Sequence, residues 1–430
     1  MEFWQIRGGR RLGGSCEVQG SKNAALPILA ASIVCPCRVE LLHVPQLSDV
    51  DTALAILRSL GCQTKREGER VWIDSRTLTH TEISRTLMAR MRSSVFFLGA
   101  LTARCGEARL SLPGGCQLGQ RPIDLHLAAL RQLGCEIEEA GDNIRCHSRE
   151  LRGCELSLPF PSVGATENIL LTACAGRGET VLHGAAREPE IVALCRFLRV
   201  MGADIVGAGS DTIRLRRFQA KEYVRFTIPP DRIVSSTLCC AAAATGGDIE
   251  LKAVDPTEIS AVTDFLKAAG CVIIQNKHAL HLRAPQQLRG IGALHTSPYP
   301  GFPTDAQPLL MAALLRARGT TRMTETIFEN RFRQVHALRR LGADITVRGR
   351  TAEIRGVRRL QGDELTATDL RGGASMVLAG LCAEGETVVC DTGHITRGYD
   401  RLDRVLQELG ADVKWKSINT RYSLSELPKG

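Results

Sequence analysis

The stretch LRSLGCQTK at residues 57–65 has a helical pattern that stops at a glycine and is followed by a short strand pattern. Five further copies follow it: LRQLGCEIE (130–138), LRVMGADIV (198–206), LKAAGCVII (266–274), LRRLGADIT (338–346) and LQELGADVK (406–414). Their glycines, Gly61, Gly134, Gly202, Gly270, Gly342 and Gly410, are separated by 73, 68, 68, 72 and 68 residues. Glycine at this place is typical of the left-handed cap that ends a helix. The sequence therefore predicts six structural repeats of about 70 residues each.

A second element recurs in phase with the first and consists of polar residues followed by an apolar run. Its copies are SKNAALPILAASI (21–33), MRSSVFFLGALTA (91–103), GATENILLTACA (164–175), PDRIVSSTLCCAAAA (230–244), PTDAQPLLMAALL (303–315) and TDLRGGASMVLAGLCA (368–383). A helix without a polar stripe must be covered on every side. Each repeat is therefore predicted to bury one helix and to expose a second, amphipathic one, with strands such as 180–184, 211–217 and 351–357 between them.

Six repeats divide naturally into two groups of three. Pro229 and Pro230 lie between the third and fourth repeats and can continue neither a helix nor a strand, so we expect the crossover there. If the buried helices of both domains direct their N-termini into a shared cleft, the cleft gains partial positive charge and free backbone N–H groups. The polar residues that open the buried helices are then expected to bind an anion.

Composition excludes several classes of protein. The chain has 430 residues, 44% of them hydrophobic, a net charge of +9 and only 4% aromatic residues. Its arginines are scattered and lack interleaved aromatics, so we expect no nucleic-acid partner. The N-terminus has no continuous apolar stretch of the kind a secretory signal needs, and the longest apolar run is broken by Pro27 and Pro36. We therefore expect no membrane insertion.

The 16 cysteines mostly lie singly within apolar runs, where cysteine acts as a small hydrophobic residue. No pair of cysteines has the spacing of zinc ligands, so we expect no metal site and a reducing, cytoplasmic environment. Cys116 differs from the others because it lies in LPGGCQLGQRP, a glycine-rich loop close to Arg121. Nearby positive charge lowers a thiol pKa, which favours a reactive cysteine at this position.

Several long motifs, taken together, resemble the UDP-N-acetylglucosamine 1-carboxyvinyltransferase family of the EPSP synthase-like superfamily. They are GSKNAALPILAA (20–31), LPGGCQLGQRPIDLHL (112–127), SVGATENI (162–169), AAREPEI (185–191), PTDAQ (303–307), TETIFENRF (324–332), TDLRGGAS (368–375) and HITRGYDR (394–401). The resemblance implies an α/β fold of two inside-out α/β barrels with three repeats each. It implies domains at 22–229 and at 230–430 plus 1–21, with the active site in the cleft between them.

The resemblance also implies a reaction, the first committed step of peptidoglycan synthesis. The enolpyruvyl group of phosphoenolpyruvate moves to the 3′-hydroxyl of UDP-N-acetylglucosamine by addition and then elimination of phosphate. Such chemistry needs an acid, a base and cations for the carboxylate and phosphate. By resemblance, Cys116 is the proton donor and forms a covalent adduct with phosphoenolpyruvate. Asp305 is the base for the sugar hydroxyl, at the start of a buried helix that Thr304 is placed to cap.

The same resemblance assigns the binding residues. Lys22, Arg121 and Arg397 would hold the charges of phosphoenolpyruvate, with Lys22 and Arg397 also counted as catalytic. The remaining contacts with the substrates would come from Asn23, Arg92, Pro122, Ile123, Asp124, Leu125, His126, Ser162, Val163, Gly164, Ile327, Arg331, Asp369 and Arg371. Phe160 stands where some relatives have lysine, Val234 where many have an acid and Thr396 where aspartate is common.

Two alternatives remain open at this stage. The sister enzyme that uses shikimate 3-phosphate shares the fold and mechanism but requires neither the thiol loop nor a uridine site. A catalytically silent paralogue would bind the sugar nucleotide as a regulator. We expect a monomer, and the mechanism requires no cofactor.

Overall fold

A computed structural model of the chain describes residues 2–112 and 123–417. Its contacts divide these residues into two compact units, each with its own hydrophobic core. The N-terminal unit comprises the described residues of Gln19–Asp231 together with Pro298–Pro300. The C-terminal unit comprises the described residues up to Val18, Arg232–Ser297 and those from Gly301 onward. The boundary at Asp231 follows directly after Pro229 and Pro230.

The α-helices of the described residues are α1 (Lys22–Ala31), α2 (Ser48–Ser59), α3 (Arg85–Arg90), α4 (Phe96–Cys105), α5 (Asp124–Gln132), α6 (Val163–Ala173), α7 (Pro189–Met201), α8 (Arg232–Thr245), α9 (Ser260–Ala268), α10 (Gln307–Ala313), α11 (Val335–Arg340), α12 (Leu370–Cys382) and α13 (Leu402–Glu408). Short 3-10 turns precede three of them, Arg92–Val95 before α4, Pro256–Ile259 before α9 and Ile395–Arg397 before α13.

The strands of the same residues are β1 (Glu2–Arg7), β2 (Gly13–Glu17), β3 (Arg38–Leu42), β4 (Gln63–Glu67), β5 (Arg70–Asp74), β6 (Glu107–Ser111), β7 (Glu136–Ala140), β8 (Asn143–His147), β9 (Glu155–Ser157), β10 (Thr180–His183), β11 (Ala203–Val206), β12 (Thr212–Phe218), β13 (Tyr223–Thr227), β14 (Asp248–Lys252), β15 (Val272–Gln275), β16 (Ala279–Arg283), β17 (Gly292–His295), β18 (Thr320–Thr324), β19 (Asp344–Arg348), β20 (Thr351–Arg355), β21 (Glu364–Thr366), β22 (Glu386–Asp391) and β23 (Asp412–Ser417). The strands predicted at 180–184, 211–217 and 351–357 are confirmed as β10, β12 and β20.

The sheets link successive repeats within each unit. Those of the N-terminal unit have the strand orders β13-β3-β5-β4, β6-β8-β7 and β11-β12-β10-β9, and those of the C-terminal unit β15-β16-β14-β2, β17-β18-β20-β19 and β21-β22-β1-β23. Strand β13, at the end of the N-terminal unit, pairs in parallel with β3 at its beginning. In the C-terminal unit, the first strand of the chain lies between β22 and β23, so that Trp4 stands opposite both Val389 and Trp415. The two ends of each unit are thus held in one sheet.

The prediction of one buried helix per repeat is confirmed. Helices α1, α4, α6, α8, α10 and α12 are buried along nearly their whole length, whereas α2, α5, α7, α9, α11 and α13 alternate between buried and exposed residues. The prediction for the repeat glycines is also confirmed, because all six have positive φ between 92° and 117°. A side chain at these positions would strain the backbone, which explains why each outer helix ends there.

Candidate functional site

The N-terminal unit presents a buried lysine at the beginning of α1. The Lys22 Nζ lies 2.5 Å from Asp49 Oδ2, and the two side chains are only 11% and 5% exposed. The Lys22 backbone N–H donates to Asp231 Oδ2 at 3.1 Å. Ser21 caps the helix by accepting a hydrogen bond from the N–H of Ala24. Two carboxylates therefore fix both the backbone and the ammonium group at this helix N-terminus.

Neither Asp49 nor Asp231 was among the residues singled out from the sequence. Asp49 lies in the first turn of α2 and Asp231 directly before α8, where an acid is commonly explained by the helix dipole alone. The signal that was available is physical: a lysine inside an apolar helix requires a counter-charge, since an isolated buried ammonium is too costly. The identity of that partner is not encoded locally, because it comes from another helix.

The residues predicted to hold the nucleotide lie at the beginnings of two other helices in this unit. Ile123, Asp124, Leu125 and His126 begin α5, and Ser162, Val163 and Gly164 begin α6. Ser162 caps α6 by accepting from the Ala165 N–H at 3.3 Å. Asn23 follows Lys22 in α1, and Arg92 opens the 3-10 turn before α4. Cys116, Arg121 and Pro122 lie outside the described residues.

The C-terminal unit contains a compact network of two arginines and two aspartates. Arg331 is 1% exposed, and its Nη2 lies 3.0 Å from Asp305 Oδ1. Its Nη1 lies 3.6 Å from Asp369 Oδ1, and its Nε donates to the carbonyl of Thr304 at 3.1 Å. Arg371 Nε donates to the other oxygen of Asp305 at 3.2 Å. Four residues from three separate motifs, with 26 to 66 positions between the ion-paired residues, are therefore brought together.

Asp305 is suited by this geometry to accept a proton from a hydroxyl group. Both of its oxygens contact a guanidinium, which compensates the carboxylate charge and fixes the plane of the group. Each oxygen retains acceptor capacity, because a carboxylate has about four lone-pair sites. The side chain is 31% exposed, so a ligand can reach it, whereas the arginines behind it are buried.

Asp369 and Arg371 are positioned by their own helix. The carboxylate of Asp369 caps α12 by accepting from the N–H groups of Arg371 and Gly372 at 3.2 and 3.0 Å. The guanidinium of Arg371 lies over the ring of Tyr399 at 5.3 Å, a cation–π contact that orients it further. Arg397 lies two residues before Tyr399 in the turn Ile395–Arg397.

The expectation that Thr304 caps the helix after Asp305 is wrong. Helix α10 begins at Gln307, and its N-cap residue Ala306 makes no side-chain cap. The Thr304 hydroxyl instead donates to Glu325 Oε2 at 2.9 Å. Because α10 begins later than expected, Thr304 lies outside the N-cap position, and its hydroxyl donates instead to a buried carboxylate from a distant strand end.

Glu325 is a second residue that sequence reasoning missed. Its side chain is buried, and Oε1 accepts from the N–H groups of Ile327 and Phe328 at 2.8 and 3.1 Å and from the Thr296 hydroxyl at 3.0 Å. Since Oε2 accepts from Thr304, one carboxylate joins the Ile327 loop to the residue next to Asp305.

Replacing Glu325 by glutamine is expected to lower the free energy of unfolding by about 2–4 kcal/mol, because a neutral amide accepts more weakly than a buried carboxylate and its nitrogen cannot accept from the Thr304 hydroxyl. Urea denaturation measures the change. The matched control is Glu353→Gln. The carboxylate of Glu353 pairs with Arg322 and Arg355 near the surface, so its replacement should lower the free energy of unfolding by less than about 1 kcal/mol. Equal losses in the two variants would contradict the organising role of Glu325.

Comparison with known proteins defines the class. Residues 6–414 match the family described as EPSP synthase (3-phosphoshikimate 1-carboxyvinyltransferase). The enolpyruvyl transferase NikO from Streptomyces tendae superposes with a TM-score of 0.87 at 25% identity, over 97% of this chain and 99% of NikO. An EPSP synthase from Acinetobacter baumannii shares the fold with a TM-score of 0.75 at 20% identity, over 97% of this chain and all of that one. The fold is that of the EPSP synthase-like enolpyruvyl transferases.

Curated relatives define the family of the chain within this fold class. UDP-N-acetylglucosamine 1-carboxyvinyltransferase 2 of Caldanaerobacter subterraneus subsp. tengcongensis is 45% identical over 413 residues, which cover 96% of this chain and 99% of the relative. The UDP-N-acetylglucosamine 1-carboxyvinyltransferase of Geobacter metallireducens is 43% identical over 95% of this chain and 98% of the relative. The chain therefore belongs to the UDP-N-acetylglucosamine 1-carboxyvinyltransferase family, as its motifs indicated.

The described part of the chain shows neither a membrane-spanning helix nor a cluster of metal-binding side chains. Within residues 2–112 and 123–417, none of the helices is long and apolar enough to cross a bilayer. Over the same residues, no three His, Cys, Asp or Glu side chains are grouped so as to hold a metal ion.

Proposed function

We propose that the chain transfers the enolpyruvyl group of phosphoenolpyruvate to the 3′-hydroxyl of UDP-N-acetylglucosamine and releases phosphate. The observation that carries this proposal is the Asp305 carboxylate, held between the guanidinium groups of Arg331 and Arg371 and open to a ligand. A fixed and accessible carboxylate is what removal of a proton from a sugar hydroxyl requires. Relatives named for this reaction, 42–45% identical over nearly the whole chain, support the choice of substrates.

In the proposed addition step, Asp305 takes the proton of the sugar hydroxyl while the oxygen bonds to C2 of phosphoenolpyruvate. Cys116 gives a proton to C3, and a tetrahedral phosphoketal results. In the elimination step, C3 returns a proton to the thiolate of Cys116 and the bond from C2 to the phosphate oxygen breaks, which restores the double bond. Phosphate departs with the proton that Asp305 had accepted. Lys22, Arg121 and Arg397 would bind the carboxylate and phosphate charges throughout.

The nucleotide would be bound at the N-terminal ends of α5 and α6. Residues 121–126 and Ser162–Gly164 are the proposed contacts, with Asn23, Arg92 and Ile327 on the sugar and phosphate side. Phe160, which stands where some relatives have lysine, is 46% exposed two residues before Ser162. An exposed aromatic ring beside this turn favours an apolar contact with a base or ribose over an ionic one.

The finer architecture and the cellular role belong to the same proposal. Each unit, with its buried helices surrounded by three sheets, would be one inside-out barrel, assigned to 22–229 and to 230–430 with 1–21. The reaction would be the first committed step of peptidoglycan synthesis, carried out in the cytoplasm by a monomer without a cofactor.

The test is an assay of phosphate release from phosphoenolpyruvate with two acceptors in parallel. Release is expected with UDP-N-acetylglucosamine and not with shikimate 3-phosphate. Release with shikimate 3-phosphate alone would contradict the proposal in favour of the sister activity. Binding of the sugar nucleotide without any release would instead favour the silent paralogue.

A phosphonate epoxide such as fosfomycin is expected to alkylate Cys116 in preference to the other 15 cysteines. It resembles phosphoenolpyruvate in charge, so the cations that bind the substrate should hold its reactive carbon near this thiol. At several of the other cysteines, burial shields the thiol and raises its pKa: to about 11 for Cys16 and to about 12 for Cys62, Cys195, Cys271 and Cys382. Peptide mass mapping after treatment locates the label.

Two variants and one internal control sharpen this experiment. Cys105 is exposed, so label there would show that exposure alone directs alkylation. Cys116→Ala should remain unlabelled. Cys116→Asp should also escape alkylation but retain some turnover, because a carboxylic acid can donate a proton if a closed site raises its pKa. An inactive Asp variant would count against Cys116 as the proton donor.

A further inference from the structure

Asn168 is a fully buried amide in the middle of α6, one turn beyond the proposed nucleotide contacts. Its Oδ1 accepts from the N–H of Gly99 at 2.9 Å, and its Nδ2 donates to the carbonyl of Val95 at 3.1 Å. Val95 ends the 3-10 turn that begins at Arg92, and Gly99 lies in the first turn of α4, which follows directly. The carboxamide therefore clamps the beginning of a neighbouring helix.

The same amide contacts the imidazole of His126, with 2.8 Å between Asn168 Nδ2 and His126 Nδ1. The backbone partners determine the orientation of the amide, because Gly99 N–H can only donate and the Val95 carbonyl can only accept. The atom facing His126 is therefore the NH2 group, which can only donate. Nδ1 of His126 must accept, and the ring proton of the neutral imidazole must be on Nε2.

His126 is neutral in this environment. Burial is the main cause that lowers its pKa to about 4; the nearby positive charge of Arg92 acts in the same direction and Asp124 in the opposite one. The ring packs directly against Gly164, where an added Cβ would be 2.9 Å from Cε1 and 3.1 Å from Nε2. The Nε2 edge of the imidazole thus lies at the beginning of α6.

We propose that Asn168 is a positioning residue for the nucleotide half of the site, where it fixes His126 as the Nε2–H tautomer and holds the first turn of α4 behind Arg92. The proposal rests on the proposed function for its ligand. A neutral N–H donor suits an uncharged acceptor, such as a carbonyl oxygen of a pyrimidine base, whereas a phosphate would favour a charged one. Asn168 thereby contributes to the choice of base without touching it.

The tautomer can be measured on the unmodified protein by 15N correlation spectroscopy of labelled histidines, with His126 assigned by its absence in His126→Gln. The expected signature is a protonated Nε2 and a bare Nδ1, with no titration between about pH 5.5 and 8.5. A proton on Nδ1, or a titration in that interval, would overturn the proposal. This measurement does not depend on any enzymatic activity.

Asn168→Asp tests the consequence for substrate binding. A carboxylate can only accept, so Nδ1 of His126 must carry the proton and donate to it; the tautomer should invert and the pKa of His126 should rise. The KM for UDP-N-acetylglucosamine is expected to increase about tenfold, the effect of one misplaced hydrogen bond, while the KM for phosphoenolpyruvate changes less than about twofold. An inverted tautomer with both KM values unchanged would refute the positioning role.

Thr172→Val is the matched control. Thr172 lies one turn further along α6, is fully buried, and its hydroxyl donates to the backbone carbonyl of Asn168 at 2.8 Å. This variant should leave the His126 signature and both KM values unchanged, even if it is less stable. If the control raised the KM for UDP-N-acetylglucosamine as much as Asn168→Asp does, the effect would come from packing, and the positioning role of Asn168 would be refuted. Absence of turnover in the unmodified protein would contradict the proposed function and leave the spectroscopic result standing.

Discussion

Lys22→Gln is expected to lower kcat/KM by on the order of a thousandfold, because the charge that would bind the phosphate or carboxylate of phosphoenolpyruvate is removed from a site that excludes water. Glutamine retains most of the length and polarity of the side chain, so the loss reports the charge rather than the volume. The rate of phosphate release from phosphoenolpyruvate and UDP-N-acetylglucosamine measures it. The KM for phosphoenolpyruvate should rise more than that for the sugar nucleotide.

Because Lys22 forms a buried ion pair with Asp49, Lys22→Gln changes folding stability as well as turnover, and the two effects must be measured separately. Removing one partner of a buried ion pair costs about 3–5 kcal/mol, so the single variant should also be less stable. Lys22→Gln combined with Asp49→Asn replaces the ion pair by two neutral amides and should recover much of that stability. It should recover none of the turnover. Restored activity in the double variant would show that Lys22 acts only as a structural partner of Asp49.

The features that could be predicted from the sequence are those that depend only on residues close together in the chain. The glycine after each outer helix, with φ of 96° at Gly61 and 92° at Gly410, follows from helix geometry alone. The buried helices follow equally directly from their lack of a polar face. Repetition then reinforced each local signal six times, which is why the repeats could be located accurately.

The contacts that could not be predicted join residues far apart in the chain. Asp49 is 27 positions from Lys22, and Thr304 donates to Glu325 across 21 positions. A local rule predicted that Thr304 caps its own helix, but the helix begins only at Gln307, and the Thr304 hydroxyl donates to a carboxylate that folding brings close. The tautomer of His126 depends likewise on an amide 42 positions away. Sequence patterns indicate candidate residues for chemistry, whereas folding determines the partners of those residues.

Asp305→Asn is expected to reduce kcat by on the order of a thousandfold with little change in the KM for either substrate, because an amide cannot accept the proton of the sugar hydroxyl. The isosteric side chain keeps one oxygen for Arg331 or Arg371, but its NH2 group must then face the other guanidinium. We therefore expect some loss of stability in addition to the loss of rate. Steady-state kinetics with both substrates varied, together with urea denaturation, measure the two effects separately.

Asp363→Asn provides the matched control for this prediction. Asp363 also forms two hydrogen bonds with one arginine, at 2.9 and 3.0 Å from the Nε and Nη2 of Arg340, but none of the proposed site residues is its partner. Its replacement removes a carboxylate–guanidinium pair near the surface and should leave kcat unchanged, with a smaller loss of stability. If Asp305→Asn loses stability but keeps its kcat, Asp305 is a partner of its arginines only. The base would then have to be another group that reaches the 3′-hydroxyl.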